Sequence, residues 1–207
     1  MRGQFITLEG IEGSGKSTQM DFIAAYLAEQ GVAVVRTREP GGTELSEKIR
    51  DLLLTNELDG MHHDTELLMM FAARVEHVNK VILPALIAGH WVLSDRFYDA
   101  TYAYQGYGRD IASTRIDQLR LYCLGDLTPD KTFLLDVSIQ VSQARMTARG
   151  NKDRFEQEQL NFYHKVRQGY LELAQNNPQR ITLIDAEQSI GHVQQAIITE
   201  LQALFSV

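Results

Sequence analysis

One stretch limits the possible folds of this chain more than any other. It is Gly10-Ile11-Glu12-Gly13-Ser14-Gly15-Lys16-Ser17, followed by Thr18. It matches G-x-x-x-x-G-K-[ST], a pattern that carries meaning only between a strand and a helix. Both flanks are present. Phe5-Ile6-Thr7-Leu8 reads as a strand, and Met20, Ile23 and Leu27 recur at helical spacing between Lys16 and Gln30. Glycines let such a loop wrap an anion with its N–H groups turned inward, and the helix start adds partial positive charge. Lys16 would reach the β- and γ-phosphates of a nucleoside triphosphate, and Ser17 would offer its hydroxyl to Mg2+. The loop predicts nucleotide binding, not the fate of the nucleotide.

A strand–loop–helix start implies a parallel sheet, and the rest of the chain agrees. Val32-Ala33-Val34-Val35, Trp91-Val92-Leu93-Ser94, Thr132-Phe133-Leu134-Leu135 and Ile181-Thr182-Leu183-Ile184 are further short apolar runs. Such runs suit strands buried on both faces. Between them lie helical patterns. One, from about Asp64 to Ala88, carries Leu68, Phe71, Val75, Val78 and Ile82; another carries Ile190, Val193, Ile197, Leu201 and Leu204. The expectation is an α/β, doubly wound, five-stranded parallel sheet with helices on both faces. Ligands in such sheets bind beyond the carboxyl ends of the strands. Gly10, Arg38, Asp95, Asp136 and Asp185 are the strand-end residues.

The 207 residues show no repeat, low-complexity tract or Pro/Ser-rich linker, so one domain over residues 1–207 is expected. With 20 Lys+Arg against 27 Asp+Glu, the net charge is −7. That balance argues against a nucleic-acid partner, while a local cluster of arginines can still hold a small anion. A single cysteine, Cys123, fits a reducing compartment and reads as a buried structural thiol. No apolar run approaches the ~18 residues of a membrane span, and no signal-peptide core is evident. A cytoplasmic protein without membrane partners is expected.

A GTPase switch should carry N-K-x-D and D-x-x-G. Asn151-Lys152-Asp153-Arg154 misses the first by one position, and the second is absent from the sequence. A small kinase needs a second anion site and cations that follow developing charge. Asp95-Arg96, at the end of an apolar run, can organise Mg2+ and grip an acceptor phosphate. Arg145 and Arg149 share a helix face, and Arg154 follows past Gly150, which suits a lid over about 145–158. A nucleotide-dependent switch and a kinase of another acceptor are the rival readings.

Thr37-Arg38-Glu39-Pro40-Gly41-Gly42-Thr43 resembles the TREPGGT signature of bacterial thymidylate kinases. The phosphate loop, Ala72-Ala73-Arg74, Asp95-Arg96, Ala103-Tyr104-Gln105-Gly106 and the arginine-rich lid recur in that family in the same order. The resemblance spans roughly residues 4–185. It implies transfer of a phosphoryl group from MgATP to dTMP, a step toward dTTP, by a cytosolic homodimer.

Residue by residue, the resemblance implies nucleotide contacts from Gly10 to Thr18 with Arg145, and Mg2+ near Ser17 and Asp95. It places Glu12 near the sugar or a metal-bound water. Phe71 would stack on thymine, and Arg74 would donate to its O4. Tyr104 would lie beside the deoxyribose, with Thr101 and Gln105 near the base. Arg38, Glu39 and Pro40 would border the acceptor phosphate or its Mg2+ network, with Arg96 gripping that phosphate. Arg149 or Arg154 would act at the transferred phosphoryl group. The Glu39–Pro40 peptide is a candidate cis bond. Two positions depart from the family pattern: Phe97 replaces a Tyr or His, and Ala100 replaces a Ser. The six histidines show no metal spacing and read as ordinary surface or helix residues.

Overall fold

The computed structural model describes residues 2–55, 60–147, 154–155 and 158–205. Five parallel strands form one sheet: β1 (Phe5–Glu9), β2 (Val34–Arg38), β3 (Trp91–Asp95), β4 (Lys131–Asp136) and β5 (Ile181–Asp185). Their order is β2-β3-β1-β4-β5. From β1 the chain crosses to one edge of the sheet, and from β3 it crosses to the other side of β1. A crevice therefore opens at the carboxyl ends of β1 and β3. Register puts the chemistry there, since Asp95 pairs with Leu8 on one side and Arg38 on the other.

The expected doubly wound sheet is present. Every residue of β1 is buried, and Thr7 and Thr132 satisfy each other's hydroxyls at 2.7 Å between β1 and β4. The edge strands differ from the fully buried expectation. β2 starts at Val34, because Val32 N–H still closes the turn after the first helix by donating to Leu27 O. On β5, Leu183 is exposed.

Helices cover both faces: α1 (Lys16–Glu29), α2 (Glu44–Leu54), α3 (His63–His77), α4 (Leu83–Ile87), α5 (Tyr98–Thr101), α6 (Ser113–Leu124), α7 (Ile139–Thr147), α8 (Leu160–Asn176) and α9 (Ile190–Leu204). One core cluster joins Ile6, Leu8, Ile23, Phe133 and Ile197; the other joins Phe5, Leu67, Phe71, Val92 and Phe97. The single helix expected from 64 to 88 is α3, a π-helical turn over Val78–Ile82, and α4. The wide turn falls just before Pro84, whose ring and missing N–H cannot follow a regular helix. The apolar stripe is also rotated from the reading above. Leu68 and Ile190 are exposed, whereas Leu67 and Met70 are buried. A second π-helical turn, Tyr102–Gly108, follows α5 and packs on α8. Cys123 is half-buried, and burial raises its thiol pKa.

Candidate active site

The crevice is one cleft with a phosphate loop at one end and a buried arginine at the other. At the loop end, Gly10 has φ +135°, and a Cβ there would lie 2.4 Å from Leu135 O. Only glycine fits that approach. Glu12, Gly13, Gly15, Lys16 and Ser17 line the cleft. Lys16 Nζ donates to Gly10 O (2.9 Å) and Ile11 O (3.1 Å), inside its own loop. Burial pulls this ammonium down to about 8; repulsion from Arg96 adds, and Asp95, Glu12 and Glu9 oppose.

Arg96 crosses the middle of the cleft. Its backbone is left-handed, with φ 72°, a costly region for a residue with a Cβ. The surroundings hold it there, since Arg96 N–H donates to Leu8 O and Ser94 Oγ donates to Arg96 O. Its guanidinium donates to Glu12 Oε1 (2.7 Å) and to Tyr170 Oη (3.2 Å), and lies 4.8 Å from the centre of the Tyr104 ring. Tyr104 Oη donates to the Glu12 carboxylate at 2.7 Å. Glu12 therefore ties the loop to Arg96 and Tyr104 rather than standing free.

Below this group sits Glu9, buried at the end of β1. It accepts from Phe97 N–H and Tyr170 Oη, both at 2.7 Å. Burial, with Asp99 nearby, pushes its carboxyl up to about 8 against the opposing charge of Arg96. Asp95 and Thr101 line the cleft, and each has a buried oxygen (Oδ1 and Oγ1) without a hydrogen-bond partner.

At the far end, Glu39 and Pro40 line the cleft. The Glu39–Pro40 peptide is cis. Glu39 accepts from Arg74 Nε at 2.6 Å and bonds His77 Nδ1 at 2.9 Å. Gly42 N–H donates to Glu47, and Thr43 caps α2 by accepting from Ser46 N–H. Arg74 lies 5.1 Å and 5.6 Å from the centres of the Phe71 and Phe97 rings. It also donates through Nη2 to Phe97 O, while Nη1 is buried without a partner.

Several expectations change here. Phe71 is not on the cleft; it belongs to the core beside Phe5 and Val92. Met70, four residues before Arg74 and so on the same helix face, takes the cleft position. Glu39 binds Arg74 and His77 rather than standing at the phosphate end. Arg38 turns outward to Glu47 at 2.8 Å and does not line the cleft. Arg50 lines it instead, donating to Pro40 O. Arg145 braces Gly13 O and Ala186 O. Arg154 donates to Leu53 O and to Glu66 at 2.7 Å. Glu66, wholly buried, also receives Gln105 Nε2 and Arg109. Arg149 lies outside the described residues. His77, read as an ordinary helix residue, is completely buried in a polar cluster. Glu9, Arg50, Met70, His77 and Tyr170 had no local signal; each is defined by a partner far away in sequence.

A glycine-rich phosphate loop and an Asp-Arg strand end on one cleft define a P-loop kinase of a small acceptor. Comparisons sharpen this. A family model described as "Thymidylate kinase" matches residues 8–197. A thymidylate kinase of Ruthia magnifica is 53% identical over 203 residues, covering 98% of this chain and 99% of the relative. One from Pseudomonas putida strain F1 is 56% identical over 197 residues, covering 95% and 94%. The crystal structure of thymidylate kinase from Ehrlichia chaffeensis superposes with a TM-score of 0.78 at 40% identity, over 97% of this chain and 99% of that one. The chain belongs to the thymidylate kinase family.

Proposed function

We infer that this chain transfers the γ-phosphoryl group of ATP to dTMP, yielding dTDP and ADP on the way to dTTP. The observation that carries the acceptor is Arg74. Its unpartnered Nη1 is a fixed donor at the end of the cleft away from the phosphate loop. A keto oxygen such as thymine O4 satisfies it; the amino group of cytosine, itself a donor, does not.

The chain's residues divide the work by position. The loop amides and Lys16 take the ATP phosphates. Arg96 offers a guanidinium fork to the acceptor phosphate, whose oxygen attacks the γ-phosphorus in line. That oxygen is already ionised near neutral pH, so catalysis is positioning and charge stabilisation. Ser17 and Asp95 fit Mg2+, because the buried Asp95 Oδ1 lacks a partner beside the loop. Mg2+ takes one or two protein oxygens and otherwise phosphates and water. Accordingly, no cluster of three or more ligating side chains is needed, and none occurs among the described residues. Bound there, Mg2+ supplies charge neutralisation on the phosphates. Met70, Phe97 and Thr101 wall the base, and Tyr104 walls the sugar. Segment 145–158 acts as the lid of a single domain, contributing arginines on closure.

The reading places the enzyme in the cytoplasm as a homodimer. No helix among the described residues is long and apolar enough to cross a membrane. Leu68, Leu121 and Tyr122, exposed on α3 and α6, suit a face shared between copies.

The test is ADP release with MgATP and dTMP, dUMP, dCMP, dGMP or AMP as separate acceptors. Strong turnover with dTMP and little with dCMP is expected. Preference for another monophosphate overturns the acceptor reading, and acceptor-independent ATP hydrolysis overturns the kinase reading.

A further inference from the structure

His77 is wholly buried, and both its ring nitrogens are engaged. Nδ1 meets Glu39 Oε1 at 2.9 Å, and Nε2 meets Thr37 Oγ1 at 2.6 Å. A carboxylate only accepts, so Nδ1 carries the proton toward Glu39; a threonine hydroxyl suits either role at Nε2. The other Glu39 oxygen receives Arg74 Nε at 2.6 Å, and both members of that ion pair are buried. The chain wraps the imidazole closely. A Cβ on Gly42 would sit 2.5 Å from the ring and 2.7 Å from Thr37 Oγ1. The polar path therefore runs from β2 through an imidazole and a carboxylate to the guanidinium of Arg74, whose planar group has one orientation compatible with the Nε–Glu39 bond.

We propose that His77 is a positioning residue for base selection: with Thr37 behind it, it holds Glu39 so that Arg74 presents Nη1 to the acceptor base. This rests on the assignment of Arg74 to the base. Satisfying Glu39 Oε1 elsewhere leaves Oε2 directed at Arg74 Nε. Without the imidazole, the buried carboxylate is half-satisfied and free to rotate away. Arg74 then recognises the keto edge less sharply, while the phosphate loop is untouched.

The test uses His77→Gln and Thr37→Val in the full chain, with Arg74→Lys as reference. Steady-state KM for dTMP and for ATP and the dTMP/dCMP ratio of kcat/KM are measured for each. The expectation for His77→Gln is a KM for dTMP raised about fivefold or more, the loss of roughly one hydrogen bond. The dTMP/dCMP ratio falls, while KM for ATP stays within about twofold. Thr37→Val shifts the same quantities less. A purely structural role would raise both KM values together or lower kcat alone, and either pattern overturns the proposal. If His77→Gln fails to fold, Thr37→Val decides, and an unchanged dTMP/dCMP ratio overturns it. A wild-type ratio in Arg74→Lys removes the base assignment and the proposal with it. A changed ratio there with wild-type behaviour in His77→Gln overturns the His77 role alone.

Discussion

Arg96 at the end of β3 and Glu12 in the phosphate loop meet at 2.7 Å across the cleft. The pair sets a cation on the cleft that the phosphate loop and Arg74 also line, while its neighbours hold it in a left-handed backbone.

Removing the Arg96 side chain should lower kcat/KM about 10²- to 10³-fold, the scale of a lost preorganised donor. Arg96→Gly and Arg96→Ala should lose turnover equally. The glycine variant should be no less stable than the alanine one, because φ 72° suits glycine. Kinetics with urea titration checks both parts; near-wild-type turnover in either would remove Arg96 from the reaction.

Lys16→Ala should reduce kcat on a similar scale, about 10²-fold or more, while the protein stays folded. Circular dichroism with coupled ADP release separates the two effects. Full activity would show that the loop amides suffice.

Phe71 and Met70 should part company when truncated. Phe71→Ala empties a core site and should cost about 3–5 kcal/mol of stability, with a modest change in KM for dTMP. Met70→Ala should raise KM for dTMP more, relative to its stability loss, because Met70 borders the cleft. Denaturant midpoints and KM values from the same preparations test this; the reverse pattern would return Phe71 to the base.

The buried Glu9 predicts a pH signature. Its carboxyl moves from 4.5 up to about 8 on folding. Between those values the folded state binds more protons than the unfolded chain, so this group's contribution falls as pH rises and levels off above about 8. Glu9→Gln mimics the protonated acid and should remove that slope. The variant should gain stability relative to wild type between pH 4.5 and 8.5, by on the order of a few kcal/mol. Urea titrations across that range read it; parallel curves would mean that Glu9 is not held protonated.

The amino-acid order alone determined the five strands, the phosphate loop and the family. These are local properties: short apolar runs mark the five strands, the glycines of residues 10–15 suit a loop that wraps an anion, and Thr37–Thr43 carries the signature that resembles the family's. The direction of each side chain was decided only when distant segments met. Arg38 and Arg50 are both cations near one turn, yet Glu47 draws the first outward while Pro40 O holds the second on the cleft. Phe71 and Met70 are neighbours, and one step of about 100° along the helix sends one to the core and the other to the cleft. Glu9, His77 and Tyr170 are silent in sequence because their partners lie 88, 38 and 161 residues away. Burial made those groups seek partners, and only the folded chain brings the partners within hydrogen-bond reach.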